Sequence, residues 1–402
     1  MRFSSSLVAL VSAVPLLVSG APARFYGKRA ASDILVFKFA DVLEQLESEF
    51  YKQALAKFQD SDFVAAGFPS SQVPIEQFKV IQSDEATHST VLQAALKSFG
   101  ETPITNCRFN FAPALGDVAT MAATARVVEA VGVGAYLGGA TLLTDPVLLT
   151  SAASILTVEA RHQTVLNILS QTGSAVFSPF DLALTPSEVL ALAGPFFDGA
   201  CDLGIPANPA LALTNTGVVA PGTRLTFSAD ALNGSVDTNT LFCQMLIPGQ
   251  FASIPLPFND CVVPSDINGA VAIFITSDGQ PLINNVRDRA TTQLIAGPAL
   301  AFIDTAPQML GQLARLNFNL VGGADGAAIP VATSTSTRTI SPVEASSVLA
   351  SATPVATPAA PEGASSGVSV TPADASVPST ANTNTGLSAD GAITVNGWTN
   401  VD

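Results

Sequence analysis

The chain has 402 residues, a formal net charge of −15 at pH 7, and 48% hydrophobic against 12% charged residues. This acidic balance argues against nucleic acid as a partner, because phosphate backbones bind basic surfaces. The hydrophobic content excludes disorder over most of the length, and the length allows two compact domains and a tail.

The N-terminus has the pattern of a secretory signal peptide at residues 1–23. A short apolar stretch, Leu7 to Val18, precedes the small residues Ala21-Pro22-Ala23, which form a cleavage site. The apolar stretch is too short to span a bilayer. We interpret the dibasic pair Lys28-Arg29 as the end of a short propeptide at residues 24–29. The mature protein is therefore expected outside the cell or in the cell wall.

Four long segments with helical apolar periodicity follow, within a domain predicted at residues 30–203. The connection between the second and third, about residues 101–114, is long enough for a crossover, which predicts a four-helix bundle with one crossover connection. The predicted helices are Ser32–Phe58, Pro74–Phe99, Leu115–Leu143 and Pro146–Leu169, with a shorter helix at Pro186–Asp198.

The third of these helices is rich in glycine, including Gly132, Gly134 and Gly138. Glycine weakens a helix but lets neighbouring segments approach closely. The apolar run resembles a membrane span, yet Arg126 and Glu129 lie within it, so we expect no membrane span.

From residue 204 the pattern changes to short apolar runs of period two between turn residues, which predicts an antiparallel β-sandwich-like domain at residues 204–322. Asp278-Gly279 is a hairpin signal, and Pro281 predicts an edge strand after it. Residues 323–402 are rich in Ser, Thr, Ala and Pro, as in a disordered, O-glycosylated tail. The predicted strands are Leu211–Leu213, Arg224–Phe227, Phe251–Ile254 and Ala270–Thr276.

Four cysteines in a secreted chain favour two disulfides, and three pairings are possible. We prefer Cys107 with Cys201 and Cys243 with Cys261, because each pair then stays within one domain. Asn233-Gly234-Ser235 is an N-glycosylation sequon.

The two histidines of the chain each follow a glutamate by three residues, in Glu85-Ala-Thr-His88 and Glu159-Ala-Arg-His162. Positions i and i+3 share one face of a helix, so each pair can converge on one metal ion. The duplication predicts a ligand set built from two similar halves.

Two tyrosines repeat this duplication. Tyr51 follows Glu44 by seven residues and Tyr136 follows Glu129 by seven residues, which is two helical turns and again one face. Glu47 competes with Glu44 as the first ligand, and the matching spacing favours Glu44.

Four carboxylates in a bundle core would repel one another, and two divalent cations would cancel their charge. Carboxylate and imidazole ligands suit two iron or two manganese ions. We expect Glu85 and Glu159 to bridge the ions and each histidine to bind one of them. The predicted ligands are Glu44, Glu85, His88, Glu129, Glu159 and His162, with Tyr51 and Tyr136 as hydrogen-bonding or redox-active neighbours.

The segment Leu43-Glu44-Gln45-Leu46-Glu47-Ser48-Glu49-Phe50-Tyr51 and the two Glu-x-x-His motifs resemble secreted fungal ferritin-like-domain proteins of the stress-response and late-sexual-development type. Plant desiccation-related proteins are more distant relatives. The resemblance covers about Ala31 to Gly204, and Cys261-Val262-Val263-Pro264 and Gly297 to Asp304 resemble the β-rich extension of the same group. It implies an α+β multidomain protein: a ferritin-like four-helix bundle, a β-rich domain and a tail.

Two hypotheses follow for function. The first is a di-metal oxidoreductase that oxidises Fe(II) or removes peroxide, with O2 or peroxide as co-substrate. The second is a non-catalytic protein of the extracellular matrix or cell wall, with a vestigial or structural metal site and contacts through the tail and β domain. Oxygenase activity is not expected, because Asp84 and Arg161 complete an Asp-Glu-x-Arg-His pattern in neither motif. Asp84 is instead a candidate to orient a histidine.

Overall fold

The computed structural model describes residues 30–170, 174–234, 236–306, 308, 310, 386–387 and 394–395. The first five of these ranges lie in one compact unit, and the last two in a second. In the second unit, β7 (Gly386–Leu387) pairs antiparallel with β8 (Thr394–Val395). The predicted signal peptide, propeptide and nearly all of the predicted tail lie outside the described residues, so these stay predictions.

The first half of the chain is helical, as predicted. The helices are α1 Ala31–Lys57, α2 Asp60–Ala65, α3 Gln72–Ser98, α4 Val118–Ala140, α5 Pro146–Leu169 and α6 Pro186–Ala193. Helices α1 and α3 pack together, and so do α4 and α5, with the crossover joining the two pairs. α4 begins later than predicted because Asp117 caps it, accepting a hydrogen bond from the backbone of Thr120. α6 ends earlier than predicted because Pro195 lies in the 3₁₀ turn that follows it.

The glycines of α4 allow the close approach that was predicted for them. The backbone amide of Leu184 donates a hydrogen bond of 2.9 Å to the carbonyl of Gly134. A Cβ at Gly138 would lie 1.7 Å from the carbonyl oxygen of Leu184. The segment before α6 therefore packs directly on the backbone of α4. By length and composition α4 could cross a membrane, but 61% of its apolar window is buried within the protein.

The second half of the described chain carries antiparallel sheets, as predicted. The strands are β1 Ala212–Leu213, β2 Phe227–Ser228, β3 Phe242–Leu246, β4 Ile254–Pro257, β5 Gly269–Thr276 and β6 Leu294–Ile303. A four-stranded sheet has the order β4-β3-β5-β6, and β1 and β2 form a separate two-stranded ribbon. Strands β3 and β6 were not predicted, because their burial hides the period-two signal.

The hairpin predicted at Asp278-Gly279 is wrong. β5 ends at Thr276 and β6 begins only at Leu294, so Pro281 lies in a long connection and not in an edge strand. Buried Gln244 of β3 holds the start of this connection through its side-chain amide, which donates to the carbonyl of Gln280 at 3.1 Å. A buried amide in a strand supplies hydrogen bonds that a tight turn would otherwise make.

Strand β5 is buried on both faces, which explains its continuous apolar sequence. Val271 and Ile273 face a core formed with β1, β2 and the loops around them. Ala272 and Phe274 face the core of the helical bundle. On this face the sheet therefore packs against helices, not against a second sheet.

Two ion pairs, one buried and one partly buried, join the sheet region to the helices. Arg126 of α4 donates to both carboxylate oxygens of Asp304, at 2.9 and 2.8 Å, and its guanidinium lies 3.9 Å from the centre of the Phe302 ring. Arg289 lies 2.5 Å from Glu188 of α6, and both side chains are 1% exposed. Bidentate arginine–carboxylate geometry fixes orientation as well as contact.

The preferred disulfide pairing is confirmed. Cys107 is bonded to Cys201, and Cys243 to Cys261. The first bond ties the crossover between α3 and α4 to the segment after α6, and the second ties β3 to the loop before β5.

Candidate metal centre

Each of the four long helices contributes to one buried polar cluster at the centre of the bundle. Helix α1 supplies Glu44, α3 supplies Glu85 and His88, α4 supplies Glu129, and α5 supplies Glu159 and His162. The structure thus brings together all six residues that the sequence predicted as ligands. The four carboxylates are 0% exposed, and His162 is 5% exposed.

The six residues form two overlapping groups of four, which we name the α1-side group and the α4-side group. Within each group one potential ligand atom per residue lies within 4.8 Å of every other. Glu85 and Glu159 belong to both groups, which is the arrangement that bridging carboxylates require. The α1-side group is Glu44, Glu85, His88 and Glu159, and the α4-side group is Glu85, Glu129, Glu159 and His162.

Both imidazoles point the same ring nitrogen into the cluster. His88 Nδ1 lies 3.1 Å from Glu44 Oε2 and 3.1 Å from Glu85 Oε2. His162 Nδ1 lies 2.7 Å from Glu85 Oε1 and 3.4 Å from Glu129 Oε2. The ring centres are 6.4 Å apart and both rings line one surface groove, so the histidines lie on the same side of the cluster.

The tyrosines contact the cluster across the bundle. Tyr51 of α1 donates a hydrogen bond of 2.6 Å to Glu129 of α4, and Tyr136 of α4 donates to Glu44 of α1. Each tyrosine therefore holds the glutamate of the opposite helix, and the two halves of the duplication exchange partners. Such hydrogen bonds orient a carboxylate and fix which oxygen stays available.

Asp84 lies on the outer side of His162. Its Oδ2 is 3.2 Å from His162 Nε2, the ring nitrogen that faces away from the cluster. When the imidazole is neutral, as metal ligation requires, a carboxylate at this position holds the proton on Nε2 and leaves the lone pair on Nδ1. The geometry matches the orienting role expected for Asp84.

Burial and mutual repulsion control the protonation of the carboxylates without metal. Burial raises the pKa of Glu44 to about 8, and nearby Glu85 adds to the increase. Burial also raises the pKa of Glu159 well above its usual range, with Glu85 and Glu44 repelling its charge. Burial similarly raises the pKa of Glu129. The core therefore does not accommodate four negative charges without cations to balance them.

The histidines and Glu85 shift in the direction of charge pairing. Burial acts to lower the pKa of His88, but its acceptors Glu159 and Glu44 outweigh this and raise it to about 12. For His162 the same balance, with Glu129 and Glu85 as partners, gives a pKa of about 11. Burial acts to raise the pKa of Glu85, but both histidines lower it to about 2. Without metal, protons on the imidazoles supply the positive charge that the cluster needs.

The protein alone leaves several of the cluster's buried atoms without a hydrogen bond. Among the described residues these are both oxygens of Glu159, Oε1 of Glu85, Oε2 of Glu129 and Nδ1 of His162, and the 2.7 Å approach of His162 Nδ1 to Glu85 Oε1 is an ion-pair contact without hydrogen-bond geometry. Buried polar atoms rarely stay unpaired, because each costs about 1–3 kcal/mol. Carboxylate oxygens and an imidazole nitrogen are the donor set that iron, manganese and zinc accept. The residues present therefore fit a pair of divalent cations.

Glu47 lies beside this cluster but in neither ligand group. It is 4% exposed, and a Cβ placed on Gly132 would lie 2.9 Å from Glu47 Oε1 and 2.6 Å from Glu159 Oε2. Gly132 thus leaves room for two carboxylates side by side. Sequence spacing ranked Glu47 below Glu44 as a ligand, and the structure buries it against the cluster as well.

The histidine side of the cluster borders a surface groove. A surface groove of about 320 Å³ is lined by Asp84, His88, Arg161 and His162 together with residues of α3 and α5. The side chain of His88 is 12% exposed, unlike the four glutamates. Ions and small oxidants in this groove can meet the outer edges of the two imidazoles, and the four carboxylates lie behind them.

The family model of the ferritin-like domain matches residues 32–172. The match covers α1 to α5 and all six cluster residues, so this part of the chain is a ferritin-like domain. A search of curated proteins gave no match to the chain. The family match shows the fold of this domain and does not show its chemistry.

Proposed function

We propose that the ferritin-like domain holds two iron or manganese ions and catalyses a redox reaction of Fe(II) or peroxide outside the cell. The observation that carries this proposal is the sharing of Glu85 and Glu159 between two ligand groups of four. Two M²⁺ ions balance four carboxylates and leave both imidazoles neutral, as metal ligation requires. The proposal places His88 and Glu44 on one ion, and His162 and Glu129 on the other.

A bound pair of such ions would supply two electrons, one from each ion, which is the number needed to reduce O2 to peroxide or peroxide to water. The protein's own contribution is to exclude bulk water from the carboxylates and to hold each terminal glutamate by a tyrosine hydroxyl. Burial and adjacent carboxylates raise the pKa of both tyrosines well above the usual value. They therefore stay protonated as hydrogen-bond donors at neutral pH.

Secretion is part of the proposal. Its support is the N-terminal sequence pattern and the two disulfides, which persist in oxidising compartments. A role in stress or development rests on the resemblance to the fungal group alone. A matrix protein with a structural metal is the competing hypothesis, and the groove at His88 and His162 favours chemistry because a purely structural site needs no access.

The test compares the wild type with a Glu85→Ala/His88→Ala double variant under anaerobic Fe(II) loading, followed by O2 or peroxide. We expect the wild type to oxidise Fe(II) with turnover and the double variant to be inactive. The control is Glu76→Ala/Lys79→Ala, which has the same spacing on the same helix but changes two exposed residues. Turnover that survives in the double variant refutes the proposal, and metal binding without turnover in the wild type supports the structural hypothesis.

A further inference from the structure

An apolar cavity lies on the side of the cluster away from the histidine groove. Its volume is about 230 Å³, and residues of α1, α4, α5 and α6 line it. The lining is aliphatic or aromatic apart from Glu47, Tyr136 and Ser187. A cavity of ~150 Å³ with apolar walls already admits benzene, so this one has room for a somewhat larger organic molecule.

Glu47 gives the cavity a polar inner end. It is 4% exposed and makes no hydrogen bond or ion pair within the described part of the chain. The hydroxyl of Tyr136 is committed to Glu44, so it does not satisfy Glu47. A buried carboxyl group without a partner is costly, and a hydrogen-bond donor that enters from the cavity would remove this cost.

The cavity also reaches the cluster. Gly132 lines it, and the space above its Cα is bounded by oxygens of both Glu47 and Glu159. At the other end Leu142 is 38% exposed, which places an apolar opening at the surface beyond the end of α4. A molecule that enters there would lie with its inner end beside the carboxylates.

We propose that this cavity binds a small aliphatic alcohol, with the chain against the apolar walls and the hydroxyl donating to Glu47. A neutral donor fits better than an ammonium group, because an ion would be desolvated along an apolar path. The binding is a property of the cavity and does not depend on metal, so it can be present or absent independently of the function proposed above.

The test measures the dissociation constants of hexanol and hexane by ligand-observed NMR, on the full chain with and without added Mn²⁺. We expect hexanol to bind about fivefold more tightly than hexane, as one net hydrogen bond supplies. Glu47→Leu should abolish this preference while hexane still binds, and Glu47→Gln should keep it because the amide oxygen still accepts.

A second variant tests the location. Ala135→Phe fills the cavity from α4 and should abolish binding of both probes, and Ala135→Leu replaces it if the larger side chain prevents folding. The matched control is Ala123→Phe, an exposed position on the same helix. The proposal is overturned if the wild type binds neither probe, if the filled variant binds like the wild type, or if Glu47→Leu still prefers hexanol.

Discussion

The sharing of Glu85 between two ligand groups makes a specific prediction about stoichiometry. Glu85→Ala removes one of four ligands from both groups and leaves three carboxylates to balance two divalent ions. Glu44→Ala removes one ligand from the α1-side group only. Loss of an outer-shell partner alone costs roughly 10–100-fold in metal affinity, so loss of a ligand should cost about 100-fold or more. We expect no tightly bound ion in Glu85→Ala and one in Glu44→Ala.

The assay for this prediction is titration with Mn²⁺, followed by electron paramagnetic resonance. The wild type should show a spin-coupled pair, Glu44→Ala the signal of an isolated bound ion, and Glu85→Ala only free Mn²⁺. Glu76→Ala, an exposed glutamate on the same helix as Glu85, should behave like the wild type. Two coupled ions in Glu85→Ala, or identical loss in both cluster variants, would refute the bridging assignment.

Two further predictions concern stability. Gly138→Ala places a Cβ 1.7 Å from the carbonyl oxygen of Leu184, whereas a Cβ at Gly139 meets only the side chain of Val36, at 3.4 Å. Both substitutions gain ~1 kcal/mol of stability from helix propensity. Overpacking and the strained contact cost Gly138→Ala ~3 kcal/mol. Urea unfolding should show Gly138→Ala less stable than the wild type by ~2 kcal/mol and Gly139→Ala at least as stable, and equal stability of the two variants would contradict the packing. The melting temperature of the metal-free protein should fall as pH rises from 5 to 9, and bound Mn²⁺ should reverse this trend, because metal competes with protons for the same atoms.

The sign of the pH effect follows from the raised pKa values. Glu44 has a folded pKa of about 8 against 4.5 normally, so its contribution to stability is present below pH 4.5 and is lost as pH rises through 8. The pKa of His88 is raised from 6.5 to about 12, so its contribution to stability also falls once the pH rises above 6.5. The pKa of Glu85 is lowered to about 2, so its contribution to stability changes with pH only below pH 4.5 and does not offset this trend. A metal-free protein that becomes more stable from pH 5 to 9 would contradict these shifts.

The helices and the convergence of the cluster could be predicted because each depends on spacing within one segment. Intervals of three and seven residues put side chains on one face of a helix whatever the helix packs against. The duplicated pattern around His88 and His162 then identified the faces that meet. Glu85 and Glu159 belong to both ligand groups, which is consistent with the bridging role predicted for them, and that role stays a prediction.

The features that could not be predicted depend on contacts between segments. The exchange of partners, with Tyr51 on Glu129 and Tyr136 on Glu44, is set by the packing of α1 beside α4 and leaves no mark in the local sequence. Strands β3 and β6 lack a clear alternation because neighbouring layers bury both of their faces. The burial of Glu47 depends on the absence of a side chain at Gly132, on another helix.

The central claim is that the cluster holds two metal ions, and elemental analysis of the purified protein tests it most directly. The protein should be purified without chelators or an affinity metal, and reloaded anaerobically with Fe(II) if metal is lost. We expect about two iron or manganese ions per chain, one for each ligand group. Absence of metal both as purified and after anaerobic loading would contradict it and would leave a metal-free ferritin-like scaffold.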